Sequence, residues 1–264
     1  MQLQGKWVWI TGASSGLGEA LSYEFARNGA NLIISSRKQV DLERVKANCS
    51  DKVSVIVQVL DVATQQDQFE IITQKLVQQT GRIDILINNA GISQRGLVKN
   101  TDLAVDRKIM EINYFGAIAL TKAVLPVMLQ QGSGQFVAMS SLVGKFGSPL
   151  RSTYAASKHA LHGFFDSLRA ETVNEQIKVT LICPGYIHTN ISQNAVTADG
   201  TAQGTTDAKT ANGLTPEAFA KKAVRGIAKG KREIIIGRSE TLGIYLKRFF
   251  PGIFARIISR VNVT

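Results

Sequence analysis

The apolar run Trp7-Val8-Trp9-Ile10 passes directly into Thr11-Gly12-Ala13-Ser14-Ser15-Gly16-Leu17-Gly18, and a stretch with helical spacing of apolar residues follows. Few structures tolerate three glycines so close together. Glycine lets the backbone turn sharply and approach a ligand without a Cβ in the way. A helix that starts in such a turn presents unpaired N–H groups and the positive end of its dipole, so strand, turn and helix together form an anion cradle. The spacing is Gly-x3-Gly-x-Gly rather than Gly-x-Gly-x2-Gly. A glycine-rich turn can also serve close packing alone, so the dinucleotide reading rests on the flanking strand and helix. Gly12, Ser14, Ser15, Gly16, Leu17 and Gly18 are the expected pyrophosphate contacts.

The rest of the chain repeats this alternation. Strands are expected at residues 6–11, 31–36, 53–58, 84–88, 135–140, 178–183 and 233–236, and helices near 17–28, 39–48, 64–80, 102–130, 154–174 and 216–229. Several strands are apolar on both faces, as in Leu32-Ile33-Ile34 and Ile85-Leu86-Ile87, which suits burial between two helix layers. The expected architecture is α/β, a doubly wound parallel sheet of the Rossmann type. Residues 1–240 form one dinucleotide-binding and catalytic domain, and 241–264 a C-terminal extension; no internal repeat is visible. Residues 190–216 break the rhythm, being rich in Ala, Thr, Gly, Asn and Asp with almost nothing large to bury. A connection that long inside a compact domain is functional or disordered. Its place after the sixth strand, at the carboxyl edge of the sheet, marks it as a substrate lid.

The second strand bears on which dinucleotide is bound. An NAD site places an acidic residue about 20 residues beyond the turn, to bind the ribose 2′-hydroxyl. Here the sequence is Ile34-Ser35-Ser36-Arg37-Lys38. Arg37, supported by Lys38 and the hydroxyls of Ser14 or Ser36, can fork onto a 2′-phosphate, so the expected cofactor is NADP(H). Asp61, just past the third strand, is placed to meet the adenine.

Tyr154 and Lys158 stand at i and i+4, on one face of a helix. A phenol is a poor base at neutral pH, and a nearby ammonium favours the phenolate. Ser140-Ser141 closes the preceding strand 13 to 14 residues earlier, which brings a hydroxyl to the same edge of the sheet. With Thr11-Gly12-x3-Gly16-x-Gly18, Asn88-Asn89-Ala90-Gly91, Asn113, Ser141, Tyr154-x3-Lys158 and Pro184-Gly185 in order, residues 5 to about 236 resemble the short-chain dehydrogenase/reductase family. The segments around Ser140–Lys145 and His159–Leu161 look most like its hydroxysteroid-dehydrogenase-like branch. The resemblance implies that Tyr154 is the general acid or base, that Lys158 lowers its pKa and holds the nicotinamide ribose, and that Ser141 binds the substrate oxygen. It implies further that Asn113 bends its helix to hold a relay water. Asn88, Ala90 and Gly91 would brace the sheet and meet the adenine ribose, and Pro184, Gly185, Ile187 and Thr189 the nicotinamide amide. The expected activity is NADP(H)-dependent hydride transfer between nicotinamide and a carbonyl or secondary alcohol, with an apolar substrate. The alternative is a non-catalytic dinucleotide sensor or membrane-tethered binding protein on the same fold. Family members are dimers or tetramers built on the two long helices, so a homo-oligomer is expected.

Other chemistries are set aside on the residues. His159 and His162 at i, i+3 have no third ligand near them in sequence, so no metal is expected. There is no Gly-x4-Gly-Lys-Ser/Thr and no Gly-x-Ser-x-Gly elbow. Cys49 and Cys183 are the only cysteines, which suits a reducing, cytoplasmic setting. No unbroken apolar run reaches the roughly 18 residues of a membrane span, and the start reads straight into a strand rather than as a signal peptide.

Charge is concentrated at one end. The chain carries 31 Lys+Arg against 20 Asp+Glu, a net +11 over 264 residues. Residues 1–220 hold 20 basic and 18 acidic side chains, whereas 221–264 hold 11 basic residues against Glu233 and Glu240. In that tail Leu242, Tyr245, Leu246, Phe249 and Phe250 form one apolar stripe. Beyond Pro251-Gly252, the residues Ile253, Phe254, Ile257, Ile258 and Val261 form a second. Lys247, Arg248, Arg256 and Arg260 lie off the stripes. Such a segment either rests on an anionic membrane surface, peripherally on its inner face, or packs on the body or a second subunit. No recognisable DNA-binding module accompanies it, and nucleic acid is not an expected partner.

Overall fold

Seven parallel strands in the order β3-β2-β1-β4-β6-β7-β9 make the central sheet of the computed structural model, which describes residues 2–261. They are β1 (Trp7–Thr11), β2 (Asn31–Ser36), β3 (Val55–Val59), β4 (Ile85–Asn88), β6 (Gly134–Met139), β7 (Ile177–Pro184) and β9 (Glu233–Ile236). Every pairing is parallel, with Val8 opposite both Leu32 and Ile85. Helices cover both faces: α1 (Gly16–Arg27), α2 (Gln39–Ala47) and α8 (Pro216–Ala228) on one, α3 (Phe69–Thr80), α5 (Gly116–Gln130) and α6 (Ser152–Glu171) on the other.

The alternation along each strand sorts the core into two halves. Val8, Ile10, Leu32, Ile34, Ile85 and Ile87 face α1, α2 and α8, while Trp9, Ile33, Leu86 and Phe136 face α3, α5 and α6. This two-sided burial is what the continuous apolar runs require. Observed bounds differ from the expected ones by a few residues.

α4 (Leu103–Met110) continues through a π-helical turn, Glu111–Phe115, into α5. The helix Leu103–Gln130 is long and apolar enough by length and composition to span a membrane, with mean hydropathy 1.5 over its best 18 residues. This qualifies the expectation drawn from unbroken runs: it is an average, interrupted by polar residues. Half of that stretch is buried in the fold, where Leu120, Val124 and Met128 pack under the sheet.

Outside the main sheet, β5 (Gln94–Arg95) pairs in parallel with β8 (Val196–Thr197), and the short α7 (Ala208–Ala211) follows. The chain then runs to α9 (Leu242–Phe249) and α10 (Pro251–Ile258). Residues 262–264 of the expected extension lie outside the described residues.

Candidate active site

A cleft of about 630 Å3 runs along the carboxyl edge of the sheet from the glycine turn to the 190–202 segment. At its nucleotide end Gly12 has φ +64°, and a Cβ there would stand 2.9 Å from Ala90 Cα. A Cβ on Gly18 would reach 2.1 Å from Gly12 O. Those two positions are glycine because the β1–α1 turn is pressed against itself and the strand-β4 loop. Asn89 stitches the same contact, donating from Nδ2 to Thr11 O (2.9 Å) and Gly12 O (3.1 Å). Ser15, the N-cap of α1, makes no side-chain capping bond, so the first-turn N–H groups suit an anionic ligand. Arg44 supports the turn from α2, bonding Ser14 O at 2.9 Å and Glu19 at 2.6 Å.

Arg37, Lys38, Ser36 and Asp61 line the cleft as expected, with Asp41 one turn into α2 beside them. Gly12, Ser14, Ser15, Gly16, Leu17, Ala90, Gly91, Pro184, Gly185, Ile187 and Thr189 line it too. Two expected contacts are corrected. Asn88 is buried and turned to α5, where its Nδ2 donates to Thr121 Oγ1 at 2.9 Å; its neighbour Asn89 is the one that faces the cleft. Asn88 is the last residue of β4 and Asn89 the first of the loop that follows, a boundary the sequence does not reveal. Gly18 acts through close packing rather than on the cleft wall.

At the other end Ser141, Tyr154 and Lys158 open into the same cleft. Ser141 follows β6, and Tyr154 and Lys158 lie one turn apart on α6. Gln94 fixes the start of that helix, its Oε1 accepting from Thr153 N (2.9 Å) and Tyr154 N (3.1 Å). Burial pushes the Tyr154 hydroxyl pKa up, while the Ser141 hydrogen bond and the charges of Arg151 and Arg95 pull the other way. Lys158 Nζ lies 5.7 Å from the Tyr154 ring centre and donates to Met139 O at 2.8 Å. Its own pKa is pushed down to about 8 by burial. The expectation that Lys158 depresses the Tyr154 pKa therefore does not describe this state: desolvation dominates and the phenol is held protonated. Asn113 sits in the π-helical turn, 1% exposed, with Oδ1 accepting from Ile92 N (2.8 Å) and Nδ2 donating to Ile92 O (3.0 Å) and Ser157 Oγ (3.1 Å). The helix departs from α geometry at Asn113, and the amide fixes the loop that carries Gly91 beside Lys158.

The 190–216 segment wraps over this end and is better anchored than its composition suggests. Val196 packs with Val105, Ile109 and Ile92, and Asp207 reaches a buried pair of arginines. Arg95 forks onto the Asp207 carboxylate, and Arg151 Nη2 stands 3.5 Å from Asp207 Oδ2. Burial pushes the Asp207 carboxyl up, but the Arg95 and Gln203 hydrogen bonds and the two arginine charges together hold it below its ordinary value. Arg95, Arg151, Asp207 and Gln94 escaped the sequence reading. A charged residue in a polar loop looks solvated until its distant partner is known.

Behind Ser140 lies a second unanticipated cluster. His162 Nε2 meets Ser140 Oγ at 2.9 Å and Cys183 Sγ at 3.7 Å, and Cys183 Sγ donates to Glu233 Oε1 at 3.4 Å. The ligand-type atoms of His162, Cys183 and Glu233 all lie within 4.8 Å of one another. The sheet thus supplies His162 with neighbours that are remote in sequence, and His159 is not among them. Lys145 Nζ occupies Glu233 Oε1 at 2.6 Å, so this arrangement is satisfied as an ion pair and hydrogen-bond chain.

A parallel doubly wound sheet, a glycine turn at its carboxyl edge and a Ser-Tyr-Lys set in one cleft define a dinucleotide-dependent oxidoreductase class. The family model for short chain dehydrogenase matches residues 6–200. The chain is 42% identical to dehydrogenase/reductase SDR family protein 7-like of Drosophila melanogaster, over 98% of this chain and 81% of that one. It is equally similar, at 42%, to dehydrogenase/reductase SDR family member 7B of Bos taurus, over 96% and 80%. Among solved structures it resembles a short-chain dehydrogenase from Streptomyces avermitilis (TM-score 0.79, 26% identity, 96% of each chain). It also resembles a serine dehydrogenase complexed with NADP+ (TM-score 0.77, 25% identity, 87% of this chain and 94% of that one). The chain belongs to the short-chain dehydrogenase/reductase family of oxidoreductases.

Proposed function

We propose that the protein is an NADP(H)-dependent reductase of carbonyl groups, or dehydrogenase of the corresponding secondary alcohols, acting on an apolar substrate. The observation that carries this reading is the shared cleft: Ser141, Tyr154 and Lys158 open into the same space as the glycine turn and Arg37. The bound nicotinamide would supply or accept the hydride. Ser141 would hydrogen-bond the carbonyl oxygen as negative charge builds on it. Tyr154, held as a neutral phenol, would deliver its proton to that oxygen, and in the oxidising direction would take it back. Lys158 would hold the ribose hydroxyls through its ammonium. Exposed Arg37 and Lys38 at the end of β2 favour a 2′-phosphate over a free hydroxyl.

Ile92, Ile187, Ile191 and Val196 line the substrate end, which supports an apolar substrate. Phe115 and Leu129 are 44% and 40% exposed on the α4–α5 helix, which supports the expected homo-oligomer. The test is nicotinamide oxidation over a panel of ketones and aldehydes, with NADPH and NADH compared. Tyr154→Phe should lose about a hundredfold or more in kcat while still binding cofactor, and Arg37→Asp should weaken NADPH selectively. Tight NADPH binding without turnover of any carbonyl would move the protein to the non-catalytic sensor reading. An unchanged NADPH/NADH preference in Arg37→Asp would remove the cofactor assignment.

A further inference from the structure

The two tail helices carry more apolar surface than their packing uses. On the inner side Ile244, Leu246, Phe254 and Ile258 pack against Leu142, Val143, Phe146 and Tyr154. Phe254 meets Phe146 edge-on at 5.1 Å. Packing on the body thereby accounts for Leu246 of the first stripe and for Phe254 and Ile258 of the second. Most of the remaining stripe residues are exposed. Leu242, Tyr245 and Phe249 follow i, i+3, i+7 on α9, and Phe250, Ile253 and Ile257 follow the same spacing from the N-cap of α10. These six are 49% to 68% exposed. At roughly 200 Å2 for each side chain when fully exposed, they offer on the order of 700 Å2 of surface, above the few hundred Å2 usual for a soluble monomer. Phe249 and Phe250 stand at the corner between the helices.

The same helices are basic, with Lys247 Nζ turned over the inner Phe254 ring at 5.9 Å from its centre. Lys247, Arg248, Arg256 and Arg260 are exposed, and no acidic residue occurs from 241 to 264. An isologous contact between two copies would bring these cations together with no carboxylate from the same segment to answer them. An anionic lipid surface answers both features, taking the apolar side chains among the acyl chains and the cations at the headgroups.

We propose that α9 and α10 form a membrane-docking face, with Phe249, Phe250 and Ile253 inserted and the flanking Lys and Arg on anionic headgroups. The opposite side of the same helix pair packs on the cluster that contains Tyr154, so docking places the catalytic pocket one helix layer from the bilayer. The docking reading is independent of the proposed reaction, because its test measures binding.

The full chain is mixed with vesicles of phosphatidylcholine alone, or with about one-third phosphatidylserine, and floated on a density gradient at roughly 0.1 M salt. Wild type should float with the anionic vesicles and about tenfold less with the neutral ones. Phe249→Asp/Ile253→Asp, which changes only exposed side chains, should lose flotation about tenfold or more while keeping its melting temperature. Arg248→Ser/Arg256→Ser should fall between. Equal flotation of wild type and the Asp pair would overturn the proposal. So would the absence of flotation together with a dimer, seen by light scattering, that the Asp pair splits; the face would then cover a second copy.

Discussion

At the scale of single residues, burial acts on Tyr154 and Lys158 in a common sense: it disfavours the charged form of each. The phenol is pushed up and stays neutral, which suits a proton donor to a carbonyl. The ammonium is pushed down to about 8, so at neutral pH it is still largely protonated but close to losing its charge. If that ammonium holds the ribose hydroxyls, the cofactor binds the protonated enzyme better. Affinity is then full below about pH 8 and declines above it. The expected signature is an NADPH Kd that rises by up to about tenfold per pH unit above 8. In Lys158→Met the Kd should be uniformly weaker and flat over the same range. Fluorescence titration of NADPH from pH 6.5 to 10 would show it, and an identical slope in the variant would remove Lys158 from the contact.

At the scale of elements, the 190–216 segment is fastened by a buried charge cluster beside the small apolar contact of Val196. The side chains of Arg95, Arg151 and Asp207 are 6%, 9% and 0% exposed, and Asp207 is the shared carboxylate. Asp207→Asn keeps the shape and removes the charge, leaving two guanidinium groups buried near each other. Breaking such a buried pair costs about 3–5 kcal/mol. Thermal unfolding should shift down, and limited proteolysis should cut first within 190–215; an unchanged melting curve and cleavage pattern would show that the ion cluster does not hold this segment. This element also shows what a sequence displays and hides. The seven strands are legible because each is a short run rich in apolar residues, buried on both faces in the centre of the sheet and only partly at the edges β3 and β9. The Tyr154–Lys158 face is legible because a helix puts i and i+4 together. The anchorage of the 190–216 segment is not, because Arg95 and Asp207 lie 112 residues apart and β5 and β8 are only two residues each. Asn88 and Asn89 fail for another reason: β4 ends between them, and only the hydrogen bonds of Asn88 to Thr121 and of Asn89 to the glycine turn decide which amide reaches the cleft. Only part of the tail was legible. Its stripes are visible in sequence, but which side chains of each stripe meet the body follows from the position of Phe146 and Leu142.

At the scale of the whole molecule, a chain of polar contacts ties the cleft edge of the sheet to its last strand. Ser140 at the end of β6, His162 on α6, Cys183 on β7, Glu233 on β9 and Lys145 in the loop after Ser141 touch in sequence. Burial, and next the Lys145 charge, push the His162 pKa down to about 4, against the opposing pull of Glu233 and Asp166; His159 adds a smaller push in the same direction. Cys183 is pushed up to about 12, chiefly by burial and then by Glu233. The imidazole thus stays neutral in the folded protein well below the pH at which it titrates in the unfolded chain, near 6.5. Between about pH 6.5 and 4 the unfolded state binds more protons, so folding stability falls as the pH is lowered through that window and loses nothing further from this group below it. Partial exposure of the ring screens the effect, which should be on the order of 1–2 kcal/mol. His162→Gln keeps a side-chain amide within reach of Ser140 and cannot take up a proton. Urea unfolding between pH 7 and 4 should therefore show a shallower loss of stability in His162→Gln than in wild type. Parallel curves would mean that the network between β6 and β9 does not set the acid limit of the fold.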